Sequence, residues 1–276
     1  MKNCKYTKEK VKFSCELANF AKSLGEFISL DGEWTIKGFV DVFNNVYTIS
    51  ADTKVISKIL ELHIFPQFLE FAQRIGYSIE LASHQNWYPD MTFVNKQNDS
   101  IKFALDLKTT YINEKRPAYC NGFTLGSHGT YFVSRESTKN IQYPYSQYSG
   151  HFCLGIIYSR AALANDIELS RYTTDVLSDI PSVIHGFIFF STEKWRIASD
   201  KSGSGNTANI GSIKKIEDIL NGNGTFAKAG EKIFDDYWIN YGKIQIAKKD
   251  GTWKSMTSFD EYISFRGLSP LLKMNN

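Results

Sequence analysis

Two carboxylates and a lysine lie close enough along this chain to share one reaction centre. Asp90 closes the run Tyr88-Pro89-Asp90. Asp106 and Lys108 flank Leu107, sixteen positions further on. Acids that converge in this way can hold a hard divalent cation, because Mg2+ takes one or two carboxylates and keeps waters or phosphate oxygens. A cation so held can supply the attacking water, neutralise developing charge and help the leaving oxygen of a phosphodiester. A lysine two residues from Asp106 can orient or activate that water, or stabilise a pentavalent phosphorus. The ordinary alternative is a surface strand with a same-face ion pair, and an isolated Asp-x-Lys is common by chance. The pattern by itself leaves both readings open.

The elements that would hold these groups are legible. Residues 91–94 and 102–109 read as two strands of a hairpin, and residues 95–100 between them are rich in turn formers. Alternate side chains of a strand share a face. Phe103, Leu105 and Leu107 therefore point into a core, and Ala104, Asp106 and Lys108 point the other way.

Further candidates lie on neighbouring elements. Asp52 caps a helix whose apolar positions are Val55, Ile56, Ile59, Leu60 and Leu62. Glu61 on that helix is either a partly exposed glutamate or a third carboxylate for the metal site. Gln85 and Asn86 sit in a polar loop before Pro89, and their amides suit groove contacts as well as ordinary turn chemistry. The run Gly203-Ser204-Gly205-Asn206-Thr207 is no phosphate loop, since no Gly-Lys-Ser/Thr follows. It is a linker or a DNA-reading loop, in which Asn206 would pair with an adenine and the Thr207 methyl would meet a thymine. The five histidines (His63, His84, His128, His151, His185) have no paired metal-ligand spacing.

The rest of the chain reads as an α/β fold. Helices are expected over 8–24, over 67–75 with Pro66 in the first turn and Gly76 as the stop, over 143–151, and from Glu231 onward. A strand pair turning at Asn44-Asn45 is expected within 33–50, and further strands over 77–81, 153–158 and 187–190, with 195–198 continuing the sheet. The long loop over 112–128 reads as functional. There is no repeat and no clean linker, so one domain over 1–276 is expected.

At 276 residues, 42% hydrophobic and 22% charged, the composition is that of a soluble globular chain. The net charge of +3 permits a nucleic-acid partner without demanding one. Cys4, Cys15, Cys120 and Cys153 form no Cys-x-x-Cys pair, which argues against a zinc site or disulfide framework and for a reducing cytoplasm. Neither a signal-peptide core nor a membrane-spanning run is expected.

Six stretches, taken together and in order, carry a resemblance. They are Asp52-Thr-Lys-Val-Ile-Ser-Lys-Ile-Leu-Glu61-Leu, Gln85-Asn86-Trp-Tyr-Pro-Asp90, Asp106-Leu-Lys108-Thr-Thr-Tyr111, Phe123-Thr-Leu-Gly126, Thr138-Lys139-Asn-Ile-Gln-Tyr-Pro144 and Gly203-Ser-Gly-Asn-Thr-Ala-Asn-Ile-Gly-Ser-Ile213. Through them the chain resembles the type II restriction endonucleases of the PD-(D/E)xK nuclease superfamily. The resemblance covers about residues 47 to 241.

It implies a restriction-endonuclease-like fold, a mixed β-sheet flanked by helices. Residues 1–50 would serve dimerisation and residues 51–245 catalysis and DNA binding. By the same resemblance Asp90, Asp106 and the helix-borne Glu61 are metal-binding acids, and Lys108 is the motif lysine. Gln85 and Asn86 form a minor-groove loop. Gly203, Ser204, Gly205, Asn206, Thr207 and Ala208 form a major-groove loop, and Thr110 and Lys139 contact the DNA backbone. The implied activity is a homodimer cutting double-stranded DNA in the middle of GATATC to leave blunt ends, with Mg2+ (Mn2+ able to substitute) and a separate methyltransferase as companion. The pattern departs at Ala208, which replaces a threonine, at Trp87, which replaces a histidine, in the loop over 113–121, and in a longer N-terminal region. A silent DNA-binding protein of the same fold and a nuclease that reads DNA structure are the rival readings. The intact Asp90, Asp106 and Lys108 set argues against the first, and the Gly-Ser-Gly-Asn-Thr loop against the second.

Overall fold

A computed structural model describes residues 7–84, 86–161, 171–203, 208–248, 250–269 and 272. The helices are α1 (Thr7–Ile28), α2 (Thr53–Ile75), α3 (Thr130–Val133), α4 (Lys194–Ile197), α5 (Ile216–Leu220), α6 (Glu231–Asn240) and α7 (Phe259–Arg266). The strands are β1 (Ser29–Leu30), β2 (Glu33–Trp34), β3 (Gly38–Val40), β4 (Asn45–Thr48), β5 (Tyr77–Leu81), β6 (Met91–Asn95), β7 (Lys102–Tyr111) and β8 (Thr124–Ser127). They continue with β9 (Tyr148–Arg160), β10 (Arg171–Thr173), β11 (Ile184–Glu193), β12 (Ala198–Ser202), β13 (Asn209–Ser212), β14 (Gln245–Ala247) and β15 (Trp253–Ser255).

The main sheet has seven strands in the order β1-β2-β11-β9-β7-β6-β5. β5, β6 and β7 form an antiparallel meander, β7 pairs parallel to β9, and β9 pairs antiparallel to β11. The fold is therefore the mixed sheet flanked by helices that the sequence implies. β8 and β12 lie either side of β13 in a separate three-stranded sheet, and β10-β4-β3 form another.

β7 lies inside the main sheet, and both of its faces are buried. Phe103, Leu105 and Leu107 enter one core with Phe13, Leu17 and Phe20 of α1 and Ile56, Leu60 and Phe68 of α2. Ala104 enters a second core with Tyr88, Cys153, Ile157 and Trp238. The hairpin pairs Met91 with Leu105 and Phe93 with Phe103, so the expected alternation holds. The face bearing Asp106 is packed rather than solvated.

α2 begins and ends as its sequence dictates. Asp52 Oδ1 accepts the N–H groups of Lys54 and Val55, and Gly76 at φ 81 donates its N–H back to the Ala72 and Gln73 carbonyls. Pro66 does not open a new helix; it lies inside α2, which runs unbroken. Proline removes the donor for the carbonyl four residues earlier, at Leu62, on a stretch of helix that water reaches. The burial of Ile56, Ile59, Leu60, Ile64, Phe68 and Phe71 along the same helix outweighs that loss.

Three other expectations are corrected. Residues 143–151 are not a helix: a short 3-10 turn (Tyr145–Gln147) leads into β9, thirteen residues long and hydrogen-bonded on both edges. Gly155 in β9 leaves room for the Phe190 ring, which any Cβ there would overlap. Residues 195–198 do not continue the sheet. α4 turns the chain out of β11 and hands it to β12, burying Trp195 and Ile197 in the second core. The loop over 112–128 contains β8. Among the described residues no helix is long and apolar enough to cross a membrane.

Candidate active site

Asp90 lies at the entrance to β6, and two hydrogen bonds clamp it to β7. Its N–H donates to Asp106 Oδ1 at 3.1 Å, and its Oδ2 accepts the N–H of Leu107 at 2.9 Å. The clamp sets the two carboxyl groups side by side. The segment before it is fixed too. Tyr88 donates its N–H to Asn140 and accepts one from Gln142, the Tyr88–Pro89 bond is cis, and the Tyr88 hydroxyl lies 2.8 Å from His151 Nδ1.

Lys108 Nζ stands 3.3 Å from Asp90 Oδ2 and 3.3 Å from Asp106 Oδ2. Lys194, at the start of α4, was not legible as a site residue. Its Nζ lies 2.6 Å from Asp106 Oδ2 and 4.0 Å from the centroid of the Tyr88 ring. No local signal marks it, since Asp106 is 88 residues away in the chain.

Burial raises the Asp106 carboxyl, but the Lys108 and Lys194 ammoniums outweigh it and hold the group well below the usual carboxylate range. Burial, aided by the negative charge of Asp106, raises the Asp90 carboxyl. Burial alone would lower Lys108, yet the Asp106 and Asp90 carboxylates hold it above the ordinary lysine range. Lys108 is thus held as an ammonium that both acids share. Burial lowers Lys194, and the Asp106 carboxylate only partly offsets it.

Two clefts meet at this centre. One, of about 500 Å3, is lined by Glu61, Asp90, Lys108 and Thr110. The other, of about 470 Å3, is lined by Asn86, Asp90, Asp106, Lys108, Lys139 and Asn209. Two chain segments far apart in sequence, around 86–90 and around 139, thereby face the same acids. Glu61 reaches the first cleft, where its Oε1 is held at 2.7 Å by Lys58 on the next turn back. Among the described residues no cluster of three or more histidine, cysteine or acidic side chains stands close enough to hold a metal. Gly203 follows β12 and Ala208 precedes β13: Gly203 N–H donates to the Asn209 carbonyl, and Ala208 O accepts from the His128 N–H. Gln85, Ser204, Gly205, Asn206 and Thr207 lie outside the described residues.

The donor set suits a hard cation. Asp90 and Asp106 offer only oxygen, the Asp90 side chain is 39% exposed to the cleft, and octahedral Mg2+ needs no more than two such carboxylates beside waters. Paired acids and a charged lysine, set by a mixed sheet beside an open cleft, suit the cleavage of a phosphodiester. The chain belongs to the restriction endonuclease EcoRV family, whose model matches residues 30–267. It is 36% identical over 236 residues to the type II restriction enzyme EcoRV of Escherichia coli, a match that spans 85% of this chain and 93% of that enzyme. The protein is a type II site-specific deoxyribonuclease. Nucleases of this family generally use a divalent metal.

Proposed function

We propose that this chain is a Mg2+-dependent homodimeric endonuclease that cuts double-stranded DNA at the centre of GATATC and leaves blunt ends. The reading is carried by the convergence of Asp90, Asp106 and Lys108 on one cleft, with Asn86 and Lys139 on its walls. Asp90 and Asp106 hold the metal, with Mn2+ able to take the place of Mg2+, and Glu61 assists from the α2 wall. The bound cation would activate the attacking water and neutralise charge on the phosphate. Lys108, charged and held by both acids, orients that water and donates to the phosphate oxygens as negative charge builds. Thr110 and Lys139 hold the DNA backbone in register. Gln85 and Asn86 meet the minor groove, and residues 203–208 read the major groove.

The chain acts as one domain, with residues 51–245 carrying catalysis and DNA binding and residues 1–50 pairing the subunits. Exposed Leu30, Phe39, Val42 and Phe43 support that pairing; Val42 is 90% exposed. Two-fold symmetry would then match a palindrome, one strand to each active site. The thiols of Cys15, Cys120 and Cys153 are free, in keeping with a cytoplasmic enzyme. A separate methyltransferase would protect the same site in the host.

Digestion of a plasmid with a single GATATC site is the direct test. One linear, blunt-ended product in Mg2+ is expected; cohesive ends or cuts elsewhere would refute the assigned specificity. On the same substrate, Asn206→Ala is expected to lose about 1–3 kcal/mol of discrimination at one adenine position. Equal losses on cognate and random DNA would make Asn206 a backbone contact instead.

A further inference from the structure

Lys194 reaches the centre from a different element than the other charged groups. Asp106 and Lys108 share β7, whereas Lys194 opens the turn that follows β11. The two lysines also differ in freedom. The Lys108 side chain is 24% exposed and faces the cleft, but that of Lys194 is only 8% exposed. Its Nζ makes the shorter contact with Asp106, at 2.6 Å against 3.3 Å. The Tyr88 ring backs the ammonium, and the Cβ position of Gly126 on β8 is 3.5 Å from Nζ. The turn is itself anchored, because Glu193 accepts the Trp195 indole N–H and pairs with Lys10 and Arg196. Lys194 cannot swing into water as a surface lysine would.

Two carboxylates and two ammoniums therefore balance before any metal arrives. A dication entering this neutral group, whose Asp106 and Lys194 are buried, would leave it with an excess of two positive charges. Repulsion between a dication and a fixed ammonium a few ångströms away is large where water is scarce. A DNA phosphate brings negative charge to the same cleft and offsets that excess. We propose that Lys194 is a positioning residue that occupies Asp106 Oδ2 in the resting enzyme and makes cation binding conditional on the DNA phosphate. The proposal rests on the reading of Asp90 and Asp106 as the metal acids. By linkage the cation must tighten DNA binding by the same factor by which DNA tightens the cation.

The test is Mn2+ binding to the DNA-free protein, followed by electron paramagnetic resonance, so that no turnover is involved. Lys194→Met is expected to bind Mn2+ about tenfold or more tightly than the wild type, and Lys194→Arg to bind it as weakly as the wild type. A merely structural lysine predicts the reverse, since its loss would loosen the acids and weaken binding. Equal or weaker Mn2+ binding by a folded Lys194→Met protein overturns the proposal. If that variant melts below the assay temperature, Lys194→Gln keeps a hydrogen-bond donor without the charge and is judged by the same criterion. Asp90→Asn separates the two readings. If it abolishes Mn2+ binding while Lys194→Met fails to tighten it, this proposal alone falls. If it leaves Mn2+ binding unchanged, the assignment of the metal acids falls and this proposal with it.

Discussion

Asp90→Asn is expected to lower Mg2+-dependent cleavage by about 10³-fold or more while leaving the protein folded. The amide keeps the shape of the carboxyl, and its oxygen can still accept the Leu107 N–H that clamps β6 to β7. What it loses is the charge that a hard cation requires. Stability is not expected to fall. Burial and the neighbouring Asp106 raise the Asp90 carboxyl above its unfolded value, so the native state favours the protonated form. Ionised Asp90 at neutral pH is therefore a burden on the fold, and a neutral amide relieves it. Lys108→Ala is expected to abolish cleavage in the same way, because it removes the donor shared by both acids. Initial rates on plasmid, with circular dichroism and gel filtration as controls, decide the matter. Full Mg2+-dependent activity in either variant would falsify the assignment.

Phe13→Ala is expected to destabilise the protein by about 3–5 kcal/mol, the usual range for truncating a buried aromatic. Phe13 is 1% exposed and is one of the side chains by which α1 packs on the sheet. Its ring stacks on Phe103 of β7 at 4.3 Å and meets Phe93 of β6 edge-on at 5.2 Å, with Tyr77, Phe71 and Phe152 around it. Phe103 lies on the same strand as Asp106, so the loss reaches the layer directly under the reaction centre. Urea denaturation measures the change. A loss under about 1 kcal/mol would mean that the site collapses around the missing ring far better than such packing allows.

The parts of this architecture that were legible in the sequence are those set by short-range rules. Period-two alternation gave the β6–β7 hairpin, and the Asp52 and Gly76 caps bounded α2. The rest depended on partners far away in the chain. Nothing local to residues 143–151 separates helix from strand, and only pairing with β7 and β11 makes the segment from Tyr148 a strand. Pro66 obeyed the packing of α2 rather than the first-turn preference of proline. Of the site, Asp90, Asp106 and Lys108 were legible because the hairpin register brings them together. Glu61 and Asn86 were open candidates from their own elements, Thr110 and Lys139 were flagged through the resemblance, and each of the four lines a cleft that Asp90 also lines. Lys194 has no signal nearby; its meaning comes from a turn that only the tertiary fold creates.

The strand that carries Asp106 and Lys108 is a wall common to two cores, with large side chains packed against each face. Such a strand cannot open by itself, because peeling it away would expose both interiors at once. The strand and the acids it carries therefore sit at the stiff end of the molecule's range of local stability. In this enzyme the blade is as durable as the fold itself.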